Sequence, residues 1–289
     1  MKILFCTDGS KSSYKSIVNA VKWLKKPIVD IVCVADWSFL NDSIIVEDTD
    51  FMLKCANSAT SILNSAEDFL SGQDIIVGEK IQVCGSVVDS IIEVIEESNY
   101  DLVVLGSNGK KGLKKWLGSV SQEVSSYSMI STYIAKEYNS AIKILFTVDF
   151  TDTNNKSIIQ SLNILDLTDK VIYLATVCEI PDYLFLEGNI NTNWIKDIDK
   201  KQTINANILL GKFEKIFENY NLKVAKKIVL KGNPSVEIVK FSEKENIDLV
   251  LCGVRTRKNM AKFLAASVSS RILENSKSDI LIIRPNNYQ

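Results

Sequence analysis

The sequence predicts an α/β protein made of two copies of one domain, each a parallel sheet covered on both faces by helices. Three observations lead there. Short apolar runs alternate with stretches of helical periodicity along the chain. Blocks of the first half recur, in the same order, in the second. The apolar runs carry few polar positions, as expected of strands buried on both faces.

The repeat is explicit. KILFCTDGSKSSYKSI (2–17) and KILFTVDFTDTNNKSI (143–158) agree at eight of sixteen positions, at an offset of 141. GSVVDSIIEVIEESNYDLVVLG (85–106) is answered by GNPSVEIVKFSEKENIDLVLCG (232–253) at an offset of 147, and LGSVS (117–121) by AASVS (265–269) at 148. The expected domains are residues 1–138 and 141–289. Each is long enough to bury its own core. The boundary at Tyr138-Asn139-Ser140 is so short that the halves are expected to pack closely.

Within the first half, KILFCT is an apolar strand ending in a polar turn. SSYKSIVNAVKWL places Tyr14, Ile17, Val18, Val21 and Leu24 at helical spacing. IVDIVCVAD reads as a second strand. Met52, Ala56, Ala59, Leu63, Ala66 and Leu70 form the stripe of a second helix. DIIVGEKIQV, from Asp74, is a third strand, VVDSIIEVIEES a helix and DLVVLG a fourth strand. VSQEVSSYS is a short helix and STYIAKE a fifth strand. In open parallel sheets ligands bind beyond the carboxyl ends of the strands. The turns of interest are therefore CTDGS, after the first strand, and LGSNGKKGLKKWLGSVS, after the fourth.

Composition narrows the function. Of 289 residues 46% are apolar and 24% charged, and the net charge is −1, so no basic field favours nucleic acid or anionic lipid. No apolar run has the length of a membrane span, and MKILFCTDGS reads as a strand rather than a signal peptide. The six cysteines form no CxxC pair and are expected to be buried, reduced thiols of a cytoplasmic protein. There is no histidine, which removes Ser-His-Asp and Cys-His catalysis and histidine-based zinc sites.

The segment after the fourth strand is neither a Walker loop nor GxGxxG; its spacing is Gly106-x2-Gly109-x8-Gly118-Ser119. Glycines admit close backbone approach to a ligand. A helix starting at Gly118-Ser119 offers N–H groups to an anion, with Ser119 and Ser121 adding hydroxyls. Lys110, Lys111, Lys114 and Lys115 raise the local potential. The same residues also read as a turn before a capped helix with a solvated lysine face. Asp8 likewise reads either as a ligand contact or as a helix cap.

The "TDGS" turn, the "DLVVLGSNG" turn and the "LGSVSQEV" helix start together resemble the universal stress protein family, in two copies spanning nearly the whole chain. The resemblance implies Rossmann-like domains of the adenine nucleotide alpha hydrolase type, with strand order 3-2-1-4-5. It implies an ATP site, with or without Mg2+. Asp8 would face adenine or ribose, and Val34 would line the adenine pocket. Gly106, Gly109, Gly118, Ser119, Val120 and Ser121 would hold ribose and phosphates. The ATP-binding branch has Gly-x2-Gly-x9-Gly-Ser/Thr, one spacer residue more than this half.

The second half departs further. Gly253, Asp149, Ser267 and Ser269 match, but Thr256 and Ala266 replace the second and third glycines and fill the space of a close phosphate approach. Arg255, Arg257 and Lys258 remain as cations. The half is read as a degenerate scaffold, with a functional second site as the alternative.

The expected function is an adenine-nucleotide-binding regulatory or stress module, with nucleotide held mainly by the N-terminal half and without efficient turnover. Alternatives are a nucleotide-free scaffold acting through an unidentified protein partner, a slow ATPase, or an enzyme of another class on a similar sheet. The segments after the second strands, which carry Trp37, Tyr183, Phe185 and Trp194, are a lid, a partner patch or core cover. The apolar fifth strands, ISTYIAKE and SDILIIRP, are expected to pair with each other within the chain. A homodimer of whole chains is left open.

Overall fold

The structure, a computed structural model, describes residues 1–37, 49–107, 118–136, 140–179, 192–253 and 267–285. The first half runs β1 (Lys2–Cys6), α1 (Lys11–Val21), β2 (Ile28–Asp36), α2 (Thr49–Ser71), β3 (Ile76–Gly85), α3 (Val87–Glu97), β4 (Leu102–Gly106), α4 (Ser119–Tyr127) and β5 (Ser131–Ala135). The second repeats it: β6 (Lys143–Thr147), α5 (Asp152–Ile164), β7 (Val171–Cys178), α6 (Thr192–Asn219), β8 (Val224–Lys231), α7 (Pro234–Glu245), β9 (Leu249–Gly253), α8 (Val268–Asn275) and β10 (Asp279–Ile283).

Local chemistry sets the helix ends. Ser10 caps α1, its Oγ accepting from the Ser13 N–H at 3.1 Å. Asn233 caps α7, with Pro234 in the first turn and left-handed Asn246 (φ 51°) ending it. The helix expected to reach Leu24 stops at Val21. The chain then leaves the helix so that Leu24 bridges Leu165, with Lys25 N–H donating to the Ile164 carbonyl and Asp166 N–H to the Trp23 carbonyl.

The ten strands form one sheet in the order β3-β2-β1-β4-β5-β10-β9-β6-β7-β8. Neighbours are parallel within each half. Only the junction is antiparallel, with Thr132, Tyr133 and Ile134 opposite Ile282, Leu281 and Ile280. Tyr133 and Leu281 occupy equivalent repeat positions, as do Leu24 and Leu165. A local two-fold axis therefore passes through both pairs, and the two halves meet as the subunits of an isologous dimer would.

Each face of the sheet carries one apolar layer that runs through both halves. One includes Ile3, Phe5, Trp23, Tyr133, Phe146 and Leu281 beneath α1, α2, α5 and α6. There the Phe146 and Phe217 rings meet edge to face at 4.8 Å. The other includes Leu4, Val103, Ile134, Val250 and Ile280 beneath α3, α4, α7 and α8.

IVDIVCVAD forms β2 as expected, and its Asp30 is buried in the middle of the strand. It accepts from Lys2 Nζ at 2.8 Å, the Tyr100 hydroxyl at 2.8 Å and the Glu79 N–H at 2.9 Å. The β2–β3 register shifts there, and Gly78 leaves the space its carboxylate fills. One sequence expectation needs correction: the cysteines are free thiols, but only Cys33, Cys178 and Cys252 are buried. Cys6 and Cys55 are half-buried, and Cys84 is exposed because β3 is an edge strand.

Candidate functional site

In the first half Asp8, Val34, Gly106 and the start of α4 all lie at the carboxyl ends of strands or just beyond them. The turn after β1 is built by its own side chains. Asp8 Oδ1 accepts from the Ser10 N–H at 3.0 Å, and Thr7 Oγ1 accepts from the Gly9 N–H at 3.1 Å and bonds Ser13 Oγ at 2.8 Å. Asp8 therefore shapes the turn, while Ser10 caps the helix. Gly9 is left-handed (φ +76°), and a Cβ there would stand 2.9 Å from Ile62 Cγ1. That close approach lets the turn lie against α2.

Val34 lines a cavity of about 250 Å³ between the end of β2 and α2, together with Cys33, Ala35, Lys54, Cys55 and Ile62. Tyr14 sits nearby, stacked on Phe69 at 5.1 Å. Burial, then the Cys33 and Asp8 charges, push its phenol pKa up. Lys54 and Tyr14 are neighbours of the site that sequence reasoning missed. Tyr14 reads only as part of an apolar stripe, and Lys54 follows a segment unlike its counterpart in the other half.

The fourth strand and α4 are tied together. The Gly118 N–H donates to the Ser107 carbonyl at 2.8 Å, and Ser121 Oγ donates to the Gly106 carbonyl at 2.5 Å. Ser107 is anchored in turn by its own N–H to the Ala135 carbonyl at 2.7 Å. Gly118 is the N-cap of α4 and has no side chain with which to cap it. The first amides of α4, at Ser119, Val120 and Ser121, thus open the helix where its dipole favours an anion. Ser119 is exposed, Val120 half-buried and Ser121 buried. Gly118 φ is −62°, so glycine is needed here for space rather than conformation: a Cβ would stand 3.3 Å from the Ser107 carbonyl oxygen. Gly109 and the four lysines of the loop lie outside the described residues.

The second half is built differently at the same places. Asp149 Oδ1 accepts from the Thr151 N–H at 2.8 Å and its hydroxyl at 2.5 Å. Phe150 replaces Gly9 and is 64% exposed. Ser267 caps α8, accepting from the Ser270 N–H at 3.1 Å and bonding Ser269 Oγ. Thr256, Ala266, Arg255, Arg257 and Lys258 lie outside the described residues, as do Tyr183 and Phe185. Trp194, at the start of α6, is half exposed. Trp37 follows β2 with its N–H donating to the Gly85 carbonyl at 3.4 Å. Among the described residues no three acidic or cysteine side chains stand together as a metal site, and no helix is long and apolar enough to cross a membrane.

The sequence model described as the universal stress protein family matches residues 1–136 and again 142–284. The chain belongs to the universal stress protein family. It is a tandem member with two copies of the family domain. Universal stress protein Slr1230 of Synechocystis is 22% identical over 98% of this chain and 99% of its own length. Universal stress protein MJ0531 of Methanocaldococcus jannaschii is 25% identical over 55% of this chain and 91% of its own. The crystal structure of a universal stress protein from Archaeoglobus fulgidus superposes with a TM-score of 0.70 at 18% identity, covering 100% of this chain and 97% of that one. A universal stress protein solved in complex with cAMP matches 50% of this chain and 98% of its own, at 14% identity and a TM-score of 0.36.

Proposed function

We propose that this tandem universal stress protein is a regulatory or stress-survival module that binds ATP, about one molecule per chain, mainly in its N-terminal half. We take its two domains to be residues 1–138 and 141–289, and its compartment to be the cytoplasm. The observation that carries the reading is the start of α4. It is uncapped by any side chain, held at the end of β4 through Gly118 and Ser121, and shares the strand ends with the Asp8 turn and the cavity at Val34. In the second half the Ser267 hydroxyl already satisfies an amide of the helix start, and Phe150 takes the place of Gly9. Asp8 would meet the sugar or base, Val34 the adenine, and the residues from Gly106 and Gly109 to Gly118, Ser119, Val120 and Ser121 the phosphates. Among the described residues no cluster of acidic side chains stands ready for Mg2+, and it is given no protein ligands of its own. The chain is read as a binder rather than an enzyme.

A scaffold without nucleotide is favoured by one observation: the Gly118 N–H and the Ser121 hydroxyl are already spent inside the protein. Calorimetric titration decides between the readings. ATP is expected to bind at about one site per chain and in preference to GTP. Gly118→Val should abolish most of the binding and Ala266→Val should change little. At ligand near 100 times its Kd, ATP should add about 2.7 kcal/mol to stability. Two equal sites per chain would remove the asymmetry, normal binding by Gly118→Val would remove the site, and ADP accumulating with turnover would make the protein an ATPase.

A further inference from the structure

The helix that carries the proposed phosphate cradle belongs to the first half, yet both of its ends are held by side chains of the second. In the first turn of α4, Gln122 Nε2 donates to Glu274 Oε1 of α8 at 3.0 Å. In the last turn the Ser125 carbonyl accepts from Arg284 Nη2, just beyond β10, at 2.6 Å. Arg284 is also fixed through its backbone, its N–H donating to Ser131 Oγ at 3.2 Å. Its Nε is buried without a hydrogen-bond partner, and burial pushes the guanidinium down to about 10. Among the described residues it forms no ion pair with a carboxylate. A cation in such a place is costly unless something favours it. Here the negative end of the α4 dipole and one of its terminal carbonyls do so.

The equivalent contact in the other direction exists but is single. Lys136, the counterpart of Arg284, donates through Nζ to the Leu273 carbonyl near the end of α8 at 2.5 Å. The counterparts of Gln122 and Glu274 are Ser270 and Ser126, too short to repeat the bridge. The seam is thus lopsided: the second half reaches both ends of α4, whereas the first half reaches only the last turn of α8.

We propose that Arg284, with Glu274 as the weaker second contact, is a positioning residue for the nucleotide site of the other half. The second half acts as a built-in clamp that sets where the α4 amides stand. This rests on the reading of α4 as the phosphate cradle. It gives the degenerate copy a task that needs no nucleotide of its own. By linkage, ATP bound at Ser119–Ser121 tightens the seam by the same factor by which the seam favours ATP.

The test uses the full chain with Arg284→Met, Arg284→Lys and, as an exposed-site variant that spares the core, Glu274→Ala. ATP titration and amide hydrogen exchange across Ser119–Tyr127 are both measured. Arg284→Met should weaken ATP binding about tenfold and Glu274→Ala about twofold. Both should speed exchange in α4, and Arg284→Lys should restore most of the loss. Unchanged ATP affinity together with unchanged α4 exchange in Arg284→Met overturns the clamp, as does a general loss of stability with neither local effect. If Arg284→Met does not fold, Glu274→Ala decides by the same two readouts. A wild-type chain that binds no ATP overturns the nucleotide reading instead, and the exchange comparison alone then decides whether the second half holds α4.

Discussion

Tyr133 donates its hydroxyl to Asp279 Oδ2 at 2.6 Å across the seam between the two halves. Asp279 is fully buried, and its other oxygen accepts from the Lys136 N–H at 2.7 Å. Burial, with the Asp279 charge, holds the Tyr133 phenol well above its ordinary pKa, so it stays a donor. Tyr133→Phe should therefore cost about 1–3 kcal/mol, because a buried carboxylate loses its shortest side-chain donor. Asp279→Asn added to it should cost less than the two changes taken separately, since an uncharged amide needs that donor less. Urea unfolding of the four proteins of the cycle measures this, and strict additivity would show that the pair does not interact.

A second prediction concerns acid. Burial pushes the Asp30 carboxyl up, but Lys2, the Glu79 N–H and the Tyr100 hydroxyl outweigh it and hold its pKa below the ordinary value. The unfolded chain therefore takes up the proton first as pH falls. The contribution is fully present above the ordinary carboxylate pKa and is lost as pH drops from there through the folded value. Melting temperatures followed from about pH 7 to about pH 3 should fall less steeply for Asp30→Asn than for wild type. Parallel slopes would mean that Asp30 does not govern the acid limb.

Two glycines should respond in opposite ways to the same change. A Cβ on Gly78 would stand 2.2 Å from Asp30 Oδ1, so Gly78→Ala must displace the buried carboxylate from its partners. A cost of about 1–3 kcal/mol is expected. Gly211 lies inside α6 with nothing within 4 Å of its added Cβ. Gly211→Ala should stabilise by about 0.5–1 kcal/mol through helix propensity alone. Thermal melts of both variants are sufficient, and a shift of the same sign in each would contradict this account of the sheet.

These residues also show what could be read in advance. Strand and helix existence was legible because the alternating pattern is strong and occurs twice. Boundaries failed where one residue's backbone decided them. Asp74 takes a left-handed conformation (φ 56°) to close the turn after α2, so β3 begins at Ile76 rather than at Asp74. The Asp30 cluster was hidden in IVDIVCVAD. The usable signal was Gly78, a glycine inside a strand, which marks a close approach. At the site, spacing pointed to Gly118 and Ser121 but not to their partners, the carbonyls of Ser107 and Gly106. Lys54 and Arg284 were missed because they reach the site region from elements distant in sequence.

The last prediction concerns the seam as a whole. The halves are joined by the β5–β10 ladder at Thr132, Tyr133 and Ile134, and by the Leu24–Leu165 bridge. The Tyr133–Asp279 bond and the reach of Lys136 and Arg284 to opposite helices add to it. Lys25 Nζ also donates to the Leu162 carbonyl at 2.9 Å. None of these contacts depends on the peptide link between Tyr138 and Ala141. Cutting there would leave each half with an apolar fifth strand whose backbone groups lack their partners, and such an edge re-pairs. Fragments 1–138 and 141–289, produced separately and mixed at micromolar concentration, should form a one-to-one complex with the mass of the intact chain. Arg284→Met in the second fragment should weaken that complex. If light scattering finds two independent monomers, each still folded by circular dichroism, then the seam contacts are too weak to join the halves without the covalent link.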